Sequence, residues 1–308
     1  MKKLLLSAIL ILAVFSSELV AGVTLRTDPY LTKNFTLNGS GNLKVETSGA
    51  SVAVTGASGN EVIVDMYVKL NGREIEMEDD EVERELDNYN LDISQNGTTI
   101  SVIVKKRNNS GRNKLNFSFK VQVPTEMSSK FQSSGGSISV DGLNGVQEIA
   151  TSGGSIQVVN SSGSVNTHSS GGSLRVENFE GDVAVQSSGG SVKVNQLTGD
   201  LKVNTSGGSV NLSEIKGSIS ASSSGGSIKA QLTNVERELT MKSSGGSITA
   251  IVPDGLGLDL DLSGGRVNSK LSNFSGEVKK DRILGKINGG GVPVTMQSSG
   301  GSINLEFN

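Results

Sequence analysis

Hydrophobic and polar positions recur along this chain at a fixed interval. The string Ser-Gly-Gly-Ser begins at Ser134, Ser152, Ser170, Ser188, Ser206 and Ser224, each 18 residues after the last, and again at Ser244 and Ser299. Variants of it begin at Ser48, as SGAS, and at Ser263, as SGGR. A repeat of this length is typical of a solenoid, in which each unit buries its apolar face only by stacking on its neighbours.

The aliphatic residues of successive repeats form columns. The first column follows the SGGS string directly and contains Ile138, Ile156, Leu174, Val192, Val210, Ile228, Ile248, Val267 and Ile303. The second lies two residues further on and contains Val140, Val158, Val176, Val194, Leu212, Ala230, Ala250, Ser269 and Leu305. Alternate apolar positions are typical of a strand with one buried face. Each repeat therefore begins with a short strand.

A second strand in each repeat follows a glycine at position 145, 163, 181, 199 or 217. Its inward positions in the middle repeats are Val183 with Val185, Leu201 with Val203, and Ile219 with Ala221. Between the two strands, a further apolar column contains Leu143, Phe179, Leu197 and Ile215. The pattern predicts an all-β fold, a single-stranded parallel β-solenoid with coils of about 18 residues.

Glycine suits the corners for two reasons: it reaches positive φ without strain, and coils stacked about 4.8 Å apart leave little room for a repeated side chain. Other repeat folds fit less well. A left-handed hexapeptide β-helix needs aliphatics six residues apart, and a calcium-binding nonapeptide roll needs a carboxylate in each glycine turn, which SGGS lacks. A disordered linker would not keep aliphatics in register.

The sequence divides into three parts. Residues 1–21 are expected to be a secretory signal peptide, because two lysines precede an apolar run from Leu4 to Phe15 and small residues follow it. Residues 22–133 are expected to start the solenoid, with an acidic insertion at 73–90 and a β-hairpin at 100–123. The insertion is expected to be a solvated loop or short helix, and the alternative is a site for a metal or cationic ligand. Residues 134–308 are expected to form the regular SGGS repeats, with irregular C-terminal coils and a final SGGS coil that ends the stack.

Composition restricts the chemistry. Lys plus Arg number 28 and Asp plus Glu 31, for a net charge of −3, so the chain lacks the basic excess that nucleic acid binding needs. It has no cysteine, no tryptophan and one histidine, His168. We therefore expect no catalytic, cofactor-binding or metal-binding residues, and no cofactor.

The alternative is a polysaccharide lyase or glycoside hydrolase, which would need paired carboxylates in a cleft. Acidic residues in the regular coils are Glu177, Asp182, Asp200 and Glu214, which we interpret as scattered surface charges. The irregular segment 263–298 combines both charge signs in Glu277, Lys279, Lys280, Asp281 and Arg282, but it lacks the aromatic residues that hold a sugar. We expect no turnover.

Several of these segments resemble the bacterial adhesin-like family known as DUF4097, over about Phe35 to Phe307. The resemblance lies in SGASVAV, GNEVIVD, VQVP ending at Pro124, the repeated SSGGSI, AIVPDGL around Pro253, and NGGGVPVTMQSSGGSINL. It implies a right-handed parallel β-helix outside the cytoplasm, and it implies no established activity or functional residues. The strict SGGS copies differ from the looser T-S-S-G-x-I pattern of the family.

The sequence thus predicts an exported, non-catalytic protein that acts as an adhesin or as a binding or structural module of the cell envelope. Its location would be periplasmic, at the cell surface or secreted, with no transmembrane segment in the mature chain. The sequence does not identify its partner; a cell-surface glycan and an envelope protein are the candidates.

Overall fold

The computed structural model describes residues 28–74, 80–107 and 114–308; the predicted signal peptide, residues 1–21, lies outside them. The described chain is all-β and solenoid-like, and its single α-helix, α1, spans Asp80–Leu86. This helix has seven residues, and no helix in the described ranges has the length and hydropathy needed to span a bilayer.

The regular stack is built from ten strands: β9 (Met127–Ser133), β10 (Ile138–Asp141), β11 (Asn144–Thr151), β12 (Ile156–Ser169), β13 (Leu174–Ser187), β14 (Val192–Thr198), β15 (Leu201–Thr205), β16 (Val210–Ser223), β17 (Ile228–Ser243) and β18 (Ile248–Val252). They pair in parallel, and from β10 to β16 each residue lies beside the residue 18 positions later. One strand register therefore repeats from coil to coil.

The predicted columns are the interior of this stack. In the first column, Ile156 lies beside Leu174, which in turn lies beside Val192. Val183 pairs with Leu201 in the second strand. All of these side chains are at most 2% exposed and belong to one continuous apolar cluster. Period-2 alternation thus identified the buried face correctly.

The N-terminal end changes from parallel to antiparallel pairing. Its strands are β1 (Leu31–Thr36), β2 (Gly41–Thr47), β3 (Ser51–Ala57), β4 (Glu61–Leu70), β5 (Arg73–Glu74), β6 (Tyr89–Asn96), β7 (Thr99–Lys106) and β8 (Leu115–Pro124). β2 lies between β7 and β9, and β3 lies between β8 and β10, all in parallel. Beyond them, β6 pairs antiparallel with β7, and β4 with β8. The antiparallel strands end the parallel ladder on this side.

The predicted β-hairpin at 100–123 is wrong. Its two halves do form strands β7 and β8, but β7 takes β6 as its antiparallel partner and β8 takes β4. The acidic insertion contains the short helix α1, which buries Val82 in the core, whereas residues 75–79 lie outside the described residues.

The C-terminal end is formed by β19 (Leu258–Ser263), β20 (Arg266–Ser269), β21 (Phe274–Val278), β22 (Arg282–Ile287), β23 (Val292–Ser298) and β24 (Ser302–Phe307). The last strand does not end the stack, contrary to the sequence prediction. β24 lies between β18 and β20, and β23 lies between β17 and β19. The outermost strands are instead β22, which is antiparallel to β19, and β21, which is antiparallel to β22.

Candidate functional site

A hydroxyl residue precedes each SGGS string, and it is buried at every corner except the first. The residue before the string is Ser133, Thr151, Ser169, Ser187, Thr205, Ser223, Ser243 or Ser298. In the later coils its Oγ accepts a hydrogen bond from the amide of the second glycine, as Ser243 does from Gly246 at 2.9 Å. The same Oγ donates to the carbonyl of the coil below, as Ser243 does to Gly226 at 3.0 Å. The corners at Ser223, Ser243 and Ser298 are therefore bonded both internally and to the adjacent coil, whereas Ser169 and Ser187 donate to the first glycine of their own corner.

The two glycines of a corner have different roles. A Cβ on Gly226, the second glycine, would lie 2.1 Å from the carbonyl oxygen of Gly208 in the adjacent coil. A Cβ on Gly225, the first glycine, would meet nothing closer than 3.5 Å. Close approach between coils thus requires the second glycine, whereas the first faces solvent.

Beside these corners runs a polar groove that we call the corner groove. One wall is the serine column that begins each SGGS string. The other wall is an outward column in which consecutive strands place Gln132, Ala150, His168, Gln186, Asn204, Ser222, Lys242 and Gln297 side by side. The larger section of the groove has a volume of 840 Å³ and extends from His168 to Gln297.

A second section, of 540 Å³, continues the corner groove toward the N-terminal end. The two sections meet at His168, which is exposed and whose Nδ1 lies 3.4 Å from Oε1 of Gln186. The far end of this section is charged, because Glu46 forms ion pairs with Lys44 at 2.8 Å and with Lys105. The hydrogen bond from Lys105 is the main reason that the pKa of Glu46 lies below its ordinary value.

A second depression, the bulge trough, lies on a different edge of the coil and has a volume of 730 Å³. It forms where the repeat is interrupted: β17 pairs Val235 with Gly217, 18 residues away, but Leu239 with Ile219, 20 residues away. The two extra residues push Arg237 out across the stack. Its Nε donates to Ser218 at 3.0 Å, and its guanidinium forms an ion pair with Asp200.

The bulge trough changes one interpretation made from the sequence. Asp182 and Asp200 are not scattered, because they precede the paired residues Val183 and Leu201 and line the same depression with Arg237. The hydrogen bond with Asp200 raises the pKa of Arg237 above its ordinary value. Both partners are largely exposed, so the pair contributes little to stability. The signal that could have found this site was the 20-residue spacing between Ser224 and Ser244.

The other acidic residues singled out in the sequence lie apart. Glu177 is exposed to solvent in part and bonded to Arg175, and Glu277 is paired with Lys279 at 2.6 Å on strand β21. Glu214 is exposed and adopts a left-handed backbone with φ 55°. Within the described ranges, no group of three or more histidine or acidic residues is arranged to hold a metal ion.

Comparison with known proteins identifies a matching family and several solved structures. No curated protein matches the sequence. Among solved structures, a "putative adhesin" from Bacteroides fragilis is 12% identical, with a TM-score of 0.44, covering 89% of this chain and 96% of that one. A "putative adhesin" from Parabacteroides distasonis is 14% identical, with a TM-score of 0.45 and the same coverage. A "putative lipid binding protein" from the same organism is 14% identical, with a TM-score of 0.42, covering 91% and 97%. The Toastrack DUF4097 profile matches residues 42–306, and the chain therefore belongs to this family.

Proposed function

We propose that this chain is an exported, non-catalytic module of the cell envelope that binds an extended, uncharged polymer along its corner groove, in the manner of an adhesin. The observation that carries the proposal is the continuity of the groove: one outward column and one serine column run side by side over successive coils. A linear groove of this kind matches a linear ligand better than a compact one.

The chemistry of the groove favours a polyhydroxylated ligand. Gln186, Asn204 and Gln297 offer amides that both donate and accept hydrogen bonds, and the serine hydroxyls do the same. Lys242 is the one charged residue among those that line the larger section. Because the corners beneath are bonded through buried hydroxyls, these groups are held in place before binding, which reduces the entropy lost on association. A neutral cell-surface glycan fits this surface.

The remaining parts of the proposal concern architecture and location. We infer a single-stranded right-handed β-helix with 18-residue coils, and the parallel pairing of residues 18 apart supports it. The division into a signal peptide at 1–21, a β-rich start at 22–133 and a repeat region at 134–308 belongs to the same proposal. Periplasmic, cell-surface and secreted locations all agree with it, and fractionation of cells that express the full chain would distinguish them.

The test is binding of the mature chain, residues 22–308, to an array of neutral and acidic polysaccharides. Asn204→Arg places a bulky cation in the groove, whereas Asn211→Arg makes the same change on an exposed position of another column. We expect Asn204→Arg to weaken binding to a neutral glycan at least tenfold and Asn211→Arg to leave it unchanged. Equal effects of the two variants, or no binding to any polysaccharide, would contradict the proposal.

A polysaccharide-active enzyme is the second candidate, and the bulge trough is the observation that favours it. Asp182 and Asp200 supply neighbouring carboxylates there, and Arg237 supplies a cation. The same panel of polysaccharides is therefore assayed for new reducing ends and unsaturated products. We expect none; turnover that Asp182→Asn abolishes would replace binding by catalysis as the function.

A further inference from the structure

The stack ends on its C-terminal side with a strand whose outer edge is open. Strand β21 pairs with β22, and the described residues place no strand on its other side. The amide of Lys279 donates to the carbonyl of Arg282 at 2.7 Å, and the amide of Asn288 donates to that of Asn273 at 3.1 Å. Odd-numbered residues of β21 therefore direct their backbone groups toward β22. Even-numbered ones direct theirs outward.

Apolar side chains accompany this open edge. Val278 lies opposite Ile283 in the β21–β22 ladder, so both point to the same side of the sheet, but Ile283 is 2% exposed and Val278 is 59% exposed. The difference arises because β21 extends the sheet past the end of the core. Leu284, on the opposite side of the sheet, is 43% exposed. An open strand edge with exposed apolar residues is a template for pairing with another strand.

The sequence of β21 is self-complementary. Phe274, Ser275, Gly276, Glu277 and Val278 read apolar, polar, glycine, polar, apolar. We propose that β21 pairs antiparallel with β21 of a second copy of this chain, about a two-fold axis at Gly276. Phe274 of each copy then lies opposite Val278 of the other, so this apolar pair occurs twice. The outward backbone groups of residues 274, 276 and 278 form the hydrogen bonds.

Charges are compatible with this pairing. Ser275 lies opposite Glu277 of the second copy, so no two carboxylates face each other directly. Each Glu277 already forms an ion pair with Lys279 of its own chain at 2.6 Å, which reduces repulsion between the two strands. An isologous contact of this kind closes on itself as a dimer and cannot propagate into a fibre.

The contact is small, since it involves five residues on each side. Stable protein interfaces bury at least about 1,200 Å², and a pair of short strands does not reach this area. The expected dimer is therefore weak and reversible, and it forms as the concentration approaches the millimolar range. This inference is independent of the proposed function, because no residue of strand β21 lines the corner groove.

Sedimentation equilibrium of the mature chain over a concentration series tests the proposal. In the monomer, Ser275→Glu faces Lys286 across the β21–β22 ladder and is tolerated, but in the dimer it faces Glu277 of the second copy. Ser275→Lys places an ammonium group opposite Glu277 of the second copy, where the two charges attract each other. We expect Ser275→Glu to raise the dissociation constant about tenfold and Ser275→Lys to lower it. Asn211→Glu, which adds the same charge between Lys193 and Lys229 of the regular stack, should change nothing.

Cross-linking provides a second measurement, since the chain contains no cysteine. Positions 275 and 277 would form a non-hydrogen-bonded antiparallel pair, with Cα atoms about 4.5 Å apart, which a disulfide can span. A mixture of Ser275→Cys and Glu277→Cys proteins should form the mixed disulfide on oxidation, and a mixture of Ser275→Cys and Asn211→Cys should not. A chain that stays monomeric at millimolar concentration, or association that Ser275→Glu leaves unchanged, would overturn the proposal.

Discussion

Replacing either glycine of one SGGS corner with alanine separates two explanations of the repeat. If glycine is needed only for flexibility, Gly225→Ala and Gly226→Ala should behave alike. If it is needed for close packing of coils, only Gly226→Ala should be harmful. Neither residue has a left-handed φ, so backbone strain does not confuse the comparison.

The expected cost of Gly226→Ala follows from the geometry. The new Cβ would lie 2.1 Å from the oxygen of Gly208, whereas 3.4 Å is an ordinary contact, so the two coils must separate by more than an ångström. Two backbone hydrogen bonds between coils flank this corner. The amide of Ser224 donates to the carbonyl of Thr205 at 3.1 Å, and the amide of Val210 donates to the carbonyl of Ser227 at 3.0 Å. Both would break. Overpacking together with two lost backbone hydrogen bonds costs about 3–5 kcal/mol.

Thermal unfolding of the mature chain, followed by circular dichroism, measures this difference. For a domain of this size we expect Gly226→Ala to lower Tm by roughly 6–12 °C. Gly225→Ala leaves an ordinary contact of 3.5 Å and restricts the unfolded chain, so it should be neutral or stabilising by up to about 1 kcal/mol. Similar Tm values for the two variants would refute the packing explanation.

Two further predictions concern the core and the charged end of the corner groove. Val194→Asp places a carboxylate at a fully buried position and should cost several kcal/mol, whereas Lys193→Ala, on the exposed side of the same strand, should stay within about 0.5 kcal/mol in urea denaturation. Glu46→Gln should be less stable than wild type at neutral pH, because Lys105 and Lys44 lower the pKa of Glu46 in the folded state. The stability that these ion pairs contribute is present above the ordinary glutamate pKa of about 4.3, and it is lost as pH falls through the lower pKa of the folded state. The free energies of unfolding of the two proteins should therefore converge in acid.

The interior of the stack could be predicted from the sequence because its period is strict. A column such as Val176, Val194 and Leu212 repeats in every coil, and one alignment of the SGGS strings assigns every member to the buried face. The buried hydroxyl before each string was equally regular, as Thr205 and Ser223 show, but it was not identified. Serine and threonine are so common in this chain that one more column of them carried no distinct signal.

The order of coils at the two ends could not be predicted in the same way. Apolar coils offer one another nearly identical ladders, so the alternation of Ile303 and Leu305 does not specify whether β24 lies beside β18, β20 or both. Stacking in sequence order was assumed for the C-terminal end, and the position of β24 between β18 and β20 contradicts it. The hairpin prediction failed because alternation identified β7 and β8 as strands but did not specify their antiparallel partners, which are β6 and β4.

Departures from the period are where this fold can place side chains off its regular lattice. In a regular coil, an outward residue contacts its copies in the coils above and below and its neighbours on the same strand, as Glu177 contacts Asn195 and Arg175. The two extra residues of β17 allow Arg237 to cross from its own coil to Asp200, two coils away along the stack. The β21–β22 hairpin departs further, because it turns the sheet antiparallel and carries Val278 past the core. A search of related chains for side chains placed off the regular columns should therefore begin with spacings between SGGS strings that differ from 18.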